Sequence, residues 1–468
     1  MSFIMEKRLM ELIKKARTKM LQFYLRLLET EEELQKFTQL YETYRKLMHW
    51  TAEGILHDEY LAEDAVHEAF LRIIQNFHQI REIPCPKTRS FVVIIVRNVA
   101  LNMQKKRKFF IMTASIGEGH SQAARAIAET IKQVHPDDAV RVLDFLSRDV
   151  LSIDHVLKEF YLKMIRIFPE MYDSLYSNSQ NRHLGSTFQN LLSWSFRRRM
   201  KRLITVLKPD ALLFTHPFPA CAANLLKKEG DIDTPLLGVI TDFDIHQLWV
   251  YKHLDAYCVP SDDLARKLDV PRSIIHTTGI PVRKSFYEEL KNPSPKEKGT
   301  VLIMGGGLGL GNITDTLLRL DKIDSVSQFI IATGQNINLY EEVASIRSSL
   351  RHPVDLHSYT NKVAEMMSKS ELIVTKPGAL TCTEALTMNL PMVLVNALPG
   401  QERANAQHLE EQGCAVWIRK NELADTVDGL LRNEEKLQQM ASACGHDKKD
   451  SALEIVQILD HMLESNGN

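Results

Sequence analysis

The sequence predicts an α/β protein in which two open parallel sheets face each other, preceded by a small all-α helical bundle. Two observations support this prediction. Apolar residues recur three and four positions apart through the first hundred residues, and from residue 109 onward short apolar strands alternate with helices in two successive series. Such alternation is typical of βαβ units. The predicted parts are a helical extension (1–19), a helical bundle (20–108), a first α/β domain (109–285) and a second α/β domain with closing helices (286–468).

Composition excludes several classes of protein. A chain of 468 residues is long enough for about three domains that each bury a core. A formal net charge of -1 does not single out nucleic acid or a membrane as the partner of the whole chain. The longest apolar run, "FVVIIV" at 91–96, is too short to span a bilayer. The 6 cysteines form no C-x-x-C pair, which argues against a zinc site and a disulfide framework and fits a reducing cytoplasm.

The helical bundle is predicted from two segments with helical spacing, "KFTQLYETYRKLMHWTAEGIL" and "YLAEDAVHEAFLRIIQNF". Pro84 and Pro86 should end one helix before the next begins at "FVVIIV". That last helix ends in a run of lysines and an arginine at 105–108, which suits contact with phosphates. Basic residues also favour the C-terminus of any helix through its dipole, so both interpretations stay open here.

Three stretches of this bundle, "LYETYRKLM", "LAEDAVHEAFLRI" and "RSFVVIIVRNVALNMQKKR", together resemble region 2 of bacterial RNA polymerase sigma factors of the sigma-70 type. The resemblance implies a helix that docks on polymerase core and a following helix that lies near promoter DNA. Phe91 and Val92 depart from the Trp-Leu usual in that family, and α/β sequence follows in place of a region 4. The residues implied in these contacts are Glu63, Asp64, Glu68, Arg72, Arg97, Asn98, Lys105 and Lys106.

The first α/β domain begins with the predicted strand "FFIMTAS", followed by a loop that contains Gly117 and Gly119. Glycines between a strand and a helix allow a tight turn and a close approach of ligand. His120 would open the next helix with its imidazole in the crevice at the carboxyl ends of the strands, where it is a candidate general base. A helix-capping or solvated histidine is the commoner explanation for a lone G-x-G-H pattern.

The second α/β domain carries two further candidate features. A run of glycines at 305–311 follows a strand and precedes a helix, an arrangement that offers backbone N–H groups to a pyrophosphate. The segment "TKPGALTCTEAL" also follows a strand and places Glu384 on the first turns of a helix facing the cleft. A carboxylate there would accept hydrogen bonds from a ribose diol, although it would also favour the helix dipole without any ligand.

Five segments together resemble the family of monogalactosyldiacylglycerol synthases and processive diacylglycerol glucosyltransferases and, more distantly, the N-acetylglucosaminyl transferase of peptidoglycan synthesis. They are "MTASIGEGHSQAARAI", "GVITDFDIHQLWVYKHLDAYCVPSDD", "TGIPVRKSF", "MGGGLGLG" and "TKPGALTCTEAL" with "PGQERANA". The resemblance runs from Phe109 to the 440s. It implies a GT-B fold of two facing Rossmann-like domains and an inverting enzyme that moves glucose or galactose from a UDP-sugar to diacylglycerol, with neither a cofactor nor a catalytic metal.

The resemblance also implies roles for individual residues. His120 would take the proton of the acceptor hydroxyl, and Asp242 would orient that imidazole or act as the base itself. Asp242 and Asp244 form a D-x-D pattern that we interpret as incidental, because a glycine loop and a helix dipole can stabilise the leaving diphosphate. The residues implied in donor binding are Gly306, Gly307, Gly309, Thr375, Lys376, Gly378, Glu384, Gln401 and Glu402.

The region 151–207 mixes aromatic, aliphatic and basic residues, as segments that lie on anionic membrane surfaces do. Packing against the first sheet with a solvated basic face is the alternative. We expect a cytoplasmic enzyme held peripherally on the inner face of a bacterial cell membrane; the alternative function is a sigma-type transcription initiation factor, with the helical bundle otherwise an adaptor or a relic of a gene fusion. The expected acceptor or membrane contacts are Gly119, His246, Arg197, Arg198 and Arg199.

Overall fold

The computed structural model divides the chain into two units, Met1–Arg107 and Lys108–Asn468. None of the helices in the described part of the chain is both long and apolar enough to cross a bilayer. The structure describes residues 24–25, 30–75, 82–114, 118–145, 182–245, 247–307, 312–398, 400–419, 422–445 and 449–466, with single positions at 21, 27, 28, 77, 80 and 309.

Three described helices form the first unit: α1 (Glu31–Leu56), α2 (Glu59–Gln75) and α3 (Pro86–Lys105). Thr30 begins α1 with a capping box, in which its side chain accepts a hydrogen bond from the Glu33 backbone and the Glu33 side chain accepts one from Thr30. The predicted proline break is present, because α3 begins at Pro86. The helices enclose one apolar core that includes Phe37, Phe70 and Val96.

The second unit contains two six-stranded sheets, each with parallel neighbours throughout. The first sheet has the order β2-β1-β3-β4-β5-β6 and the second has the order β12-β11-β10-β7-β8-β9. The first sheet consists of β1 (Lys108–Thr113), β2 (Ala139–Asp144), β3 (Ala211–Phe214), β4 (Leu236–Val239), β5 (Ala256–Val259) and β6 (Ile275–Thr277). The second consists of β7 (Thr300–Met304), β8 (Gln328–Ala332), β9 (Val354–His357), β10 (Leu372–Thr375), β11 (Met392–Leu394) and β12 (Ala415–Trp417).

Helices connect successive strands, as the alternating pattern predicted. The helices between strands of the first sheet are α4 (Glu118–Val134), α5 (Arg182–Leu207), α6 (Pro217–Lys228) and α7 (Asp262–Lys267). The helices that precede, connect or follow the strands of the second sheet are α8 (Lys284–Lys291), α9 (Ile313–Leu320), α10 (Ile337–Ile346), α11 (Val363–Lys369), α12 (Ala379–Thr387), α13 (Gln401–Glu411), α14 (Leu423–Leu431) and α15 (Glu434–Cys444). A final helix, α16, spans Ser451–Asn466.

The packing of α16 differs from the predicted domain division, which placed residues 286–468 with the second sheet. Ile455, Val456 and Leu459 are buried in the core formed by β1 and α4 of the first sheet. Asp460 accepts a hydrogen bond from His135 at the end of α4, with 2.8 Å between Oδ2 and Nε2. The closing helix that the prediction grouped with the second domain thus buries its apolar face against the first sheet.

The glycine-rich loop after β7 is held by the loop after β8. The Gly307 carbonyl accepts a hydrogen bond from the Gln335 backbone N–H at 2.9 Å. A Cβ at Gly309, where φ is +58°, would lie 2.0 Å from the Thr333 carbonyl oxygen, so only glycine fits. Gly334 has the same requirement, since its Cβ would lie 2.4 Å from the Gly307 oxygen. Gly309 thus has a packing role whatever ligand this loop binds.

Candidate active site

His120 lies in the first turn of α4, at the carboxyl end of β1, as the sequence predicted. Its Nδ1 is 2.6 Å from the Thr241 hydroxyl oxygen, and its ring meets the His216 ring edge-on with 4.9 Å between centroids. Burial lowers the pKa of His120 to about 4, although a hydrogen bond with the Thr215 backbone favours the charged form. The imidazole is therefore neutral at physiological pH, which is the form that accepts a proton.

Asp242 lies in the loop after β4, and burial raises its pKa to about 8. A hydrogen bond with the Gln401 side chain acts in the opposite direction, whereas the nearby Asp244 adds to the increase. The carboxyl group therefore keeps its proton near neutral pH. These protonation states favour His120 over Asp242 as the base, and the side chain that contacts the imidazole is Thr241 in place of the expected Asp242.

The loop that carries Asp242 is attached to α13 of the second sheet. The Phe243 backbone N–H donates to Oδ1 of Asn405 at 3.3 Å, and Nδ2 of Asn405 donates to the Pro377 carbonyl at 3.2 Å. The Phe243 ring stacks on His408, with 5.6 Å between centroids and 20° between planes. Asn405 is 1% exposed, so both of its hydrogen bonds are shielded from water. The two halves of the cleft are thus joined by buried polar contacts.

Glu384 lies in α12 with its carboxyl group buried. Burial raises the pKa of Glu384 to about 7, while Arg283 opposes this increase. Nη2 of Arg283 is 3.4 Å from Oε1 of Glu384. The Nε of Arg283 is buried without a hydrogen-bond partner in the structure. Arg283 lies in the segment "TGIPVRKSF", far from Glu384 in the sequence, and only the fold brings the two side chains together.

Lys376 and Glu402, both expected at the donor, form an ion pair with 2.6 Å between Nζ and Oε1. The other carboxylate oxygen of Glu402 accepts a hydrogen bond from the Leu398 backbone at 3.0 Å. A Cβ at Gly306 would lie 3.7 Å from Cε of Lys376, so the glycine loop runs beside this cation. The donor residues of the two loops are therefore adjacent.

Two more expected donor residues lie where β10 meets α12. Thr375 is 1% exposed, and its hydroxyl donates to the Lys376 carbonyl at 3.3 Å. Gly378 precedes α12 as its N-cap, and a Cβ there would have no atom within 4 Å. The N-terminus of α12 consequently has open space beside it, which suits an anionic group.

Three segments of the chain match known protein families. Residues 120–282 match the monogalactosyldiacylglycerol (MGDG) synthase family, residues 300–455 match the glycosyltransferase family 28 C-terminal domain, and residues 40–110 match sigma-70 region 2. The processive diacylglycerol beta-glucosyltransferase of Bacillus cereus (strain G9842) is 32% identical over 358 residues, which are 73% of this chain and 90% of that protein. The chain belongs to the MGDG synthase family.

A processive diacylglycerol beta-glucosyltransferase from Bacillus cytotoxicus is 31% identical over 379 residues, covering 78% of this chain and 95% of that protein. Among solved structures, MurG from Acinetobacter baumannii superposes with a TM-score of 0.49 and 17% identity, covering 76% of this chain and 99% of that one. This MGDG synthase family member is a sugar-transferring enzyme with a GT-B fold. A sigma-70 region 2 domain precedes the GT-B part in the chain. Both sequence resemblances are confirmed.

The expected acceptor residues of this MGDG synthase family member differ in exposure. Gly119 lies against α12, since a Cβ there would be 3.7 Å from Cβ of Leu380. Arg197 forms ion pairs with Glu229 and Asp231 at 2.6 and 2.7 Å, and Arg199 lies over the Phe145 ring at 4.9 Å. Of the three consecutive arginines, Arg198 is the exposed one. His246 lies outside the described residues.

In the sigma-70 region 2 domain, the residues expected to face polymerase lie on α2. Glu63 pairs with Arg45 at 3.5 Å and Glu68 pairs with Arg72 at 3.0 Å, both on the surface. Surface pairs of this kind contribute little to stability. Asp64, Arg97, Asn98 and Lys106 are exposed, and the side chain of Lys105 lies outside the described part of the chain.

We expect the substitution Asp242→Asn to change how stability depends on pH. The pKa of Asp242 is raised from its ordinary 3.8 to about 8, so between these values the folded chain holds a proton that the unfolded chain has lost. The corresponding stability is fully present below pH 3.8 and is lost as pH rises toward 8. Asparagine cannot ionise and avoids this loss.

Chemical denaturation across about pH 5 to 9 would measure the effect. The free energy of unfolding of Asp242→Asn should rise relative to the wild type over this range and level off above about pH 8. Asp233→Asn is the matched control, because Asp233 is an exposed aspartate of the same unit. A difference between Asp242→Asn and wild type that stays constant with pH would contradict the assigned protonation state.

Proposed function

We propose that this enzyme moves glucose or galactose from a UDP-sugar to diacylglycerol at a membrane surface, with inversion at the anomeric carbon. The observation that carries the proposal is the neutral, half-buried His120 in the same cleft as the loop and helix N-terminus that suit a diphosphate. The relatives named processive diacylglycerol beta-glucosyltransferase support diacylglycerol as acceptor. Their name also favours glucose, although galactose remains to be compared.

In the proposed reaction, His120 takes the proton of the acceptor hydroxyl. The hydroxyl oxygen forms a bond to the anomeric carbon, and the bond from that carbon to the diphosphate oxygen breaks with its electron pair, releasing UDP. Backbone N–H groups near Gly306 and Gly378, the dipole of α12 and the ammonium of Lys376 would stabilise the leaving diphosphate. The proposed step therefore uses neither a metal ion nor a cofactor.

Glu384 is the proposed ligand of the donor ribose. An ionised carboxylate accepts hydrogen bonds at both of its oxygens, whereas a protonated carboxyl group donates from one of them. Its pKa of about 7 leaves it partly protonated in the free enzyme, and Arg283 favours the ionised form. Gln401 and Glu402 would hold sugar hydroxyls, which requires Gln401 to exchange its contact with Asp242 for one with the sugar.

Transfer activity tests the proposed base. His120→Ala should lower kcat by at least about a hundredfold, because general base catalysis contributes factors of this size. The assay is glycolipid formation, detected by mass, from diacylglycerol vesicles with UDP-glucose or UDP-galactose. His253→Ala is the control, since His253 is an exposed histidine of the same unit. Undiminished transfer by His120→Ala would overturn the assignment, and no product from the wild type with either donor would overturn the function.

Membrane attachment is proposed through α5. Arg197 and Lys201 on one face of this helix are engaged with Glu229 and Asp231. A neighbouring face exposes Trp194, Arg198 and Arg202, which follow one another at intervals of four residues. Trp194 is 73% exposed. An exposed tryptophan in line with arginines suits the interface of an anionic bilayer, such as the inner face of a bacterial cell membrane.

Vesicle sedimentation tests this surface. Each basic residue near an anionic membrane contributes about 1 kcal/mol, so Arg198→Gln with Arg202→Gln should lower partitioning into phosphatidylglycerol vesicles about thirtyfold. The control is Lys322→Gln with Lys436→Gln, which removes the same charge from exposed positions beside the second sheet. An equal loss in the control would show that net charge rather than this face matters, and no loss in either pair would overturn the proposal.

A second candidate function is favoured by the match of residues 40–110 to sigma-70 region 2. The helical unit would then bind RNA polymerase core through α2 and promoter DNA through α3. Co-purification of the whole chain with polymerase core tests this candidate. Binding that is lost when Glu63 and Asp64 of α2 are replaced by alanine would support it, and failure of the wild-type chain to bind core would remove it.

A further inference from the structure

The segment Thr241–Phe243 contacts both halves of the cleft within three residues. Thr241 touches the imidazole of His120, Asp242 binds Gln401, and Phe243 binds Asn405. The last two partners belong to α13, the helix that carries two of the expected donor ligands. One short segment therefore lies between the proposed base and the proposed donor site.

Thr241 has a hydrogen-bond arrangement that distinguishes the two nitrogens of His120. Its hydroxyl oxygen lies 2.6 Å from Nδ1 of the imidazole and makes a longer contact of 3.4 Å, as donor, with the carbonyl oxygen of Thr215, whose backbone also hydrogen-bonds to His120. A hydroxyl has one proton, so a threonine that donates to a carbonyl can only accept from the ring nitrogen. Nδ1 then carries the hydrogen, and Nε2 keeps the lone pair.

The surroundings restrict movement of Thr241. The residue is 4% exposed, and the polar contacts of Asp242 and Phe243 tether the chain that follows it. Phe243 is also packed in the apolar core of the second sheet, with its ring stacked on His408. A backbone tethered so soon after Thr241 keeps the hydroxyl against the imidazole.

We infer that Thr241 is the positioning residue of His120, which it holds as the Nδ1–H tautomer so that Nε2 is the atom that accepts the acceptor's proton. Thr241 touches neither substrate in this scheme and acts through the imidazole. A carboxylate performs the same task in hydrolytic triads, where it sets the tautomer and orientation of the histidine. The tautomer follows from the contacts of Thr241, whereas its effect on rate rests on the proposed function.

Nitrogen chemical shifts report the tautomer without any substrate. The whole chain, labelled with ¹⁵N at its 17 histidines, would be compared with His120→Gln to assign the His120 signals. We expect a protonated Nδ1 and an unprotonated Nε2 in the wild type at neutral pH. Thr241→Val, which keeps the shape but loses the hydroxyl, should give a mixture of tautomers, and Thr241→Ser should restore the wild-type pattern.

The matched control is Thr130→Val, which removes a buried hydroxyl from the same helix that carries His120. The Thr130 hydroxyl donates to the Ala126 carbonyl at 3.0 Å. We expect this variant to leave the His120 shifts unchanged. A protonated Nε2 in the wild type, or a Thr241→Val spectrum equal to that of the wild type, would overturn the inference. If Thr241→Val fails to fold, Thr241→Ser still tests the inference. Serine keeps the hydroxyl, so this variant must show the same protonated Nδ1 as the wild type.

Kinetics provide a separate readout. In the transfer assay, Thr241→Val should lower kcat at least tenfold with less than a twofold change in the KM for the UDP-sugar, and Thr241→Ser should recover most of kcat. A general structural defect would change both parameters and would not be rescued by serine. If the wild type shows the expected tautomer but transfers no sugar, the proposed function fails while the positioning role stands.

Discussion

The buried amide of Asn405 links the two sheets at the cleft, next to the contact between Asp242 and Gln401. It accepts from the Phe243 backbone on one side and donates to the Pro377 carbonyl on the other, with 1% of its surface exposed. Each bond taken alone contributes only about 1 kcal/mol, but removing the side chain would leave both backbone groups buried without partners. The position of the base relative to the donor site depends on this junction, because Thr241 and α13 lie on either side of it.

Desolvation is the common cause of the altered acid–base equilibria in the cleft. It lowers the pKa of His120 to about 4, and it raises those of Asp242 and Glu384 to about 8 and about 7. Each group is thereby moved toward its neutral form, while Lys376 forms an ion pair with Glu402 and the guanidinium of Arg283 lies beside Glu384. A donor diphosphate would meet N–H dipoles and cations in a low-dielectric site, where their effect is largest.

The sequence predicted the parts of the fold that local periodicity encodes. Strands β1, β7 and β10 and the helices after them followed from short apolar runs that end in loops with glycine. His120 and Glu384 were candidates because each lies near the start of a helix that follows such a strand, and the family resemblance then implied their roles. Contacts between distant segments leave no local signal. The pairing of Thr241 with His120, the bridge made by Asn405 and the approach of Arg283 to Glu384 therefore required the fold. The return of α16 to the first sheet was missed for the same reason, since its amphipathic pattern does not say which core it covers.

The most direct test of the account is the anomeric configuration of the sugar in the glycolipid product. UDP-glucose and UDP-galactose are α-linked donors. A single displacement, with His120 as the base on one face and the diphosphate leaving from the other, predicts a β-linked product, recognised by the large coupling between H1 and H2 in its proton NMR spectrum. An α-linked product would require either two successive displacements or departure and attack on the same face, and it would contradict the arrangement of base and donor site described here.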